Sequence, residues 1–140
     1  MKSKAIRVSV ILIIMALLLS MVAYASVEAS HYISSYGAYI SKTGNTVKIY
    51  FDVVGTGIMD QIGATEIYLY EKTSTYGSWT LVHTFLYTDP TYATSMMGSN
   101  TGFKDDYVSY SGNSSYQYKA YITVYAEKDG GSDSRNITAT

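Results

Sequence analysis

The 140-residue chain has no cysteine, one proline (Pro90) and two histidines, His31 and His83. Without cysteine there are no disulfide staples, so stability has to come from a packed core. Neither histidine has a partner at His-x-x-x-His spacing, which argues against a zinc site or a histidine-based catalytic dyad. Charge is sparse, at 15% of residues, and forms no run or basic stripe of the kind nucleic acid requires. No Gly-x-Ser-x-Gly, phosphate loop or dinucleotide fingerprint is present. No cofactor is expected.

What is there begins with an export signal. Lys2, Lys4 and Arg7 precede residues 8–19, which are apolar apart from Ser9. That is the length of a signal-peptide apolar region and short of the roughly 20 residues a spanning helix needs. Ala23-Tyr24-Ala25 fits the small-x-small cleavage rule, so residues 1–25 are predicted to be removed before Ser26. Val27-Glu28-Ala29 offers a second cut, before Ser30. The competing reading is an uncleaved anchor extended through Met21 and Val22 to Ala25. No cysteine follows to carry lipid, and no second apolar run or sorting tail appears, so release into the medium is expected, with no stable membrane anchor after cleavage.

Cleavage leaves residues 26–140 as one domain. The signal holds three of the ten basic residues, so the mature chain has seven against eleven acidic ones, a net charge of −4. That argues further against nucleic acid and against anionic membranes. Of the 16 tyrosines, 15 lie in the mature part. With Ser, Thr and Gly they give a strand-and-turn composition.

Seven strand signals recur, at residues 36–41, 46–54, 65–72, 79–87, 104–110, 116–127 and 134–139. In the second, Val47, Ile49, Phe51 and Val53 alternate with Lys48, Tyr50 and Asp52, a period of two. In the sixth, Tyr118, Ala120, Ile122, Val124 and Ala126 share a face. The phase of the fourth is double, since Trp79, Leu81 and Val82 all suit a core, and a bulge would reconcile them. Gly55-Thr56-Gly57 reads as a break, residues 58–63 as a loop with one helical turn, and residues 88–102 as a polar loop. The expected fold is an all-β, seven-stranded antiparallel sandwich preceded by a signal-peptide helix.

Tyr110-Ser111-Gly112, Tyr118-Lys119-Ala120, Val124-Tyr125-Ala126 and Gly130-Gly131-Ser132 together resemble the end of a fibronectin type III domain. The resemblance implies an immunoglobulin-like sandwich in which Tyr118 is the corner tyrosine, its hydroxyl bonded to backbone, and Trp79 a core aromatic. Four further segments are similar to a family of small, uncharacterised secreted proteins of Gram-positive bacteria. These are Ser35-Tyr36-Gly37-Ala38, Phe51-Asp52-Val53-Val54-Gly55-Thr56-Gly57, Met59-Asp60-Gln61-Ile62-Gly63-Ala64 and Gly130-Gly131-Ser132-Asp133-Ser134-Arg135. This second resemblance implies fold and location but no chemistry.

The candidate sites are few. Asp129-Gly130-Gly131-Ser132-Asp133 lacks the alternating acids and final glutamate of a calcium loop and reads as a turn. Asn113-Ser114-Ser115 and Asn136-Ile137-Thr138 match the glycosylation sequon, which matters only in a eukaryotic secretory pathway. Met96 and Met97 suit either a partner contact or a loop folded over the sandwich end. The third and sixth strands are neighbours in a fibronectin-like sandwich, and their inward residues leave Tyr68, Tyr70, Tyr121 and Tyr125 on one outer face beside Glu66 and Thr123. Rigid rings with polar tips suit a cell-wall glycan or a protein partner; they equally stabilise a sheet face without binding anything. The first expectation is therefore a secreted, non-enzymatic binding or accessory module. The others are a structural or self-associating envelope protein and, third, a small carboxylate-based hydrolase.

Overall fold

Period-two alternation sets the architecture. The computed structural model describes residues 30–140; the signal peptide and the cut before Ser26 lie outside the described residues. The elements are β1 (Ile33–Thr43), β2 (Thr46–Lys72), β3 (Thr80–Leu86), the short helix α1 (Ala93–Met96), β4 (Met97–Ser111), β5 (Gln117–Lys128) and β6 (Gly131–Ala139). All paired strands are antiparallel. The first half of β2 lies between β1 and β4, its second half between β3 and β5, and β6 pairs with β5. The sheet curls so that both halves of β2 bury their inward residues in one core.

Six strands are present among the described residues, one fewer than the seven signals, because the second and third run together as the 27-residue β2. The expected break and helical turn at residues 55–63 are instead extended chain. The segment stays extended because it has partners. Thr56 donates its N–H to the Tyr32 carbonyl (2.9 Å), Met59 to Gly63 pair with β4, and Gln61 onward pairs with β5. A bulge takes up the slack, since the register steps from Val54–Phe103 to Met59–Thr101. Gly63 is required by close approach: a Cβ there would fall on the Met96 carbonyl oxygen.

The polar loop expected at residues 88–102 is likewise shorter. Asp89 accepts from the Thr91 N–H (2.9 Å), α1 follows, and β4 begins at Met97. Met96 is fully buried, so of its two readings the fold over the core end is the one seen. At the β5–β6 turn, Asp129 (φ 53°) and Gly130 (φ 78°) both have positive φ, as a two-residue type I′ hairpin demands.

The inward set reads as expected. Val47, Ile49, Phe51, Ile67, Leu69, Tyr118, Ala120, Ile122 and Val124 are all buried in the one core cluster. Tyr118 accepts the Asn113 N–H (2.6 Å) and donates to the Asn113 carbonyl (3.3 Å), so its hydroxyl is tied to backbone five residues upstream. Burial first, and the nearby Glu71 carboxylate, push this phenol above its usual range, against the opposing Asn113 bond. A bulge does resolve β3: the register passes from Leu69–His83 to Tyr70–Leu81, skipping Val82. Val82 packs on the core while Leu81 turns outward. The bulge also corrects Trp79, which is half-buried and outside the core cluster.

Candidate binding surface

The second half of β2 and β5 carry the four candidate tyrosines. Tyr68 stands directly opposite Tyr121, Tyr70 opposite Lys119 and Glu66 opposite Thr123. Tyr125 lies beyond a register shift, opposite Gly63. The pleat therefore puts all four on the outer face of the β3–β2–β5–β6 region. They are not equally open. Tyr121 is 43% exposed; Tyr68, Tyr70 and Tyr125 are half-buried.

Their neighbours explain the difference. Tyr68 donates its O–H to Glu66 (2.9 Å) and Tyr125 to Glu127 (2.7 Å). These bonds, first among the causes, raise both phenols above their usual range, so both remain protonated donors at neutral pH. Tyr70 and Tyr121 meet edge to face, with centroids 5.5 Å apart. Lys119 lies over the Tyr121 ring at 5.0 Å and the Tyr70 ring at 5.9 Å. The four rings thus divide into a central pair, Tyr70 and Tyr121, and two flanking rings whose hydroxyls are held by glutamates.

Sequence reasoning missed the rest of this cluster. Trp79 joins it from the segment before β3, with Lys119 at 4.6 Å and Lys72 at 4.8 Å from its ring centroid. Trp79 also lines an open cleft of about 470 Å³ at the hairpin end of the molecule, together with Ile40, Lys42, Tyr116 and Gln117. That volume falls in the range of about 300–1,000 Å³ found for small-ligand sites. The Lys42 ammonium donates to the Ser114 and Tyr116 carbonyls, both at 2.7 Å, and so fixes one wall. Indole and phenol rings supply apolar faces here, while the Gln117 amide and the Lys42 ammonium supply hydrogen-bond donors.

A second aromatic row went unseen as well. Tyr39, Tyr50 and Tyr107 are in register across β1, β2 and β4 on the other outer face. Tyr39 and Tyr50 stack at 4.7 Å and 6°, Tyr50 and Tyr107 tilt at 5.1 Å and 42°, and Lys48 lies over Tyr107 at 4.2 Å. The signal was available: Tyr50 is out of phase with the buried Ile49 and Phe51.

The remaining candidates are placed plainly. His83 packs against Phe85 at 4.3 Å and its Nε2 lies 3.3 Å from the Tyr92 hydroxyl. Asp133 pairs with Arg135 at 2.5 Å. Asp52 and Asp105 stand opposite each other on the Tyr50 face, and neither lines the Trp79 cleft. No family model, no curated protein and no solved structure matches the chain.

Proposed function

We propose that this chain is an exported, non-enzymatic binding module that holds a cell-wall glycan or a surface protein through the outer face of β3, β2, β5 and β6. One observation carries the reading: Tyr70, Tyr121 and Trp79 gather around Lys119 on an open sheet face that runs into a cleft. Aromatic rings with few rotatable bonds make contact at low entropy cost, and a neighbouring cleft adds depth to a flat face. The N-terminal signal supports export and release. The two resemblances support a fibronectin type III-like sandwich within a secreted Gram-positive family. The pairing of the second half of β2 with β5, and the Tyr118 bond to Asn113, favour that finer fold.

The test is a Tyr70→Ala, Tyr121→Ala double variant, assayed for pull-down by purified cell-wall glycan and by surface-protein extract. Loss of binding with an unchanged thermal midpoint is expected. Full retention of binding in a folded double variant overturns the reading and leaves these rings as sheet stabilisers.

A second reading has its own observation. Val54 faces Phe103 across β2 and β4, Ile58 is beside them, and these three are 39%, 63% and 61% exposed. Contiguous exposed apolar groups of this kind favour a self-associating envelope protein. Light scattering decides it: that reading expects a mass that rises with concentration and falls back to monomer in Phe103→Ser. A concentration-independent monomer removes it.

A further inference from the structure

The chain is acidic overall, yet two of its lysines stand against one tryptophan and a third lies in the cleft beside it. Lys72 and Lys119 both stand against the Trp79 ring, and Lys42 lines the same cleft. Among the described residues the ion pairs are Lys104–Asp106 and Arg135–Asp133; none of these three lysines takes part in one. Lys42 uses two N–H groups on the Ser114 and Tyr116 carbonyls and keeps the third. Lys72 gives one to the Thr75 carbonyl at 3.3 Å. No Asp or Glu is among the residues lining the cleft; the Glu71 carboxylate lies near Tyr118, which is one of them. Two ammoniums at one indole, neither of them in an ion pair, make a local positive site that an anion complements.

Resting on the binding-module reading, we propose that the Trp79 cleft takes an acidic saccharide. The sugar ring lies against Trp79 and Tyr116, a hydroxyl meets the Gln117 amide, and a carboxylate on the chain reaches the Lys72 and Lys119 ammoniums that stand against the same indole at the cleft edge. Charge-assisted bonds from lysine to such a group are stronger than neutral ones. They also make binding fall as salt rises, because the site is open to solvent. The net negative charge of the rest of the protein keeps polyanions without a matching ring from binding indiscriminately.

Trp79 is the only tryptophan in the chain, so its fluorescence reports the cleft directly. The exported chain is titrated with oligogalacturonate, with its neutral methyl ester, and with a glycerol-phosphate oligomer. Oligogalacturonate is expected to shift the emission and bind more tightly than the ester and than the glycerol-phosphate oligomer, which has the charge but no sugar ring; tighter binding of the ringless oligomer overturns the saccharide assignment. Lys72→Gln with Lys119→Gln is expected to weaken that binding about tenfold or more and to flatten its salt dependence, while Lys119→Arg retains it. Equal affinity for charged and neutral probes, or silence of the lysine double variant, overturns the acidic-saccharide site. If cell-wall glycan is still captured through Tyr70 and Tyr121 while no charged probe binds, this inference alone falls. If nothing is captured by either route, both readings fall.

Discussion

The two outer faces of this small sheet both carry tyrosine, and they use it differently. Across β1, β2 and β4, Tyr39, Tyr50 and Tyr107 form one cross-strand row whose rings lie against each other. Across β2 and β5, Tyr70 and Tyr121 meet at 84° and share Lys119 with Trp79 beside a cleft. Rings stacked face to face spend their faces on one another, and such pairs are a unit of sheet stabilisation. Rings set edge to face, as Tyr70 and Tyr121 are, cover less of one another's faces. Tyrosine count alone therefore says nothing about binding; the orientation of each ring relative to its cross-strand neighbour does.

The largest effects should come from beneath the two faces. Phe51 lies under the first and Leu69 under the second, on the same strand β2, and both are fully buried. Phe51→Ala should cost about 3–5 kcal/mol and Leu69→Ala about 2–5 kcal/mol. Because one strand serves both regions, each variant should shift a single denaturant transition seen equally by Trp79 fluorescence and by far-UV circular dichroism. Two separated transitions would break the comparison by showing that the faces belong to independent units.

Smaller effects sharpen it. A double-mutant cycle on Tyr39 and Tyr50, read as unfolding free energy, should give a coupling of about 0.5–1.5 kcal/mol, as expected for a stacked pair. The same cycle on Tyr70 and Tyr121 should give less, about 0.2–1 kcal/mol. Equal or reversed couplings would mean that the second pair is the structural one.

Much of this was legible in the chain. The alternation at residues 46–54 and 116–127 placed every inward residue named for those strands. Tyr118 and its backbone bond followed from a resemblance local to β5. The run of β2 through residues 55–63 was not legible, because Gly55, Gly57 and Gly63 read locally as breakers. Gly63 is there for the approach of the Met96 carbonyl, a contact from far along the chain. Trp79 was misplaced for a related reason. The bulge at Val82 reverses the phase of β3, and only the pairing of β2 with β5 brings Lys72 and Lys119 to one ring. The tyrosines of the candidate face could be placed by parity alone; the tryptophan at a cleft edge that sets them apart from Tyr39, Tyr50 and Tyr107 could not.

The most direct measurement is a chemical-shift map of the labelled chain titrated with solubilised cell-wall glycan. The account predicts perturbations confined to Tyr70, Trp79, Lys119 and Tyr121 and their neighbours, with Tyr39, Tyr50 and Tyr107 unmoved. Perturbations centred on the Tyr39–Tyr50–Tyr107 row, or none on either face with saturating glycan and with surface-protein extract alike, would contradict it.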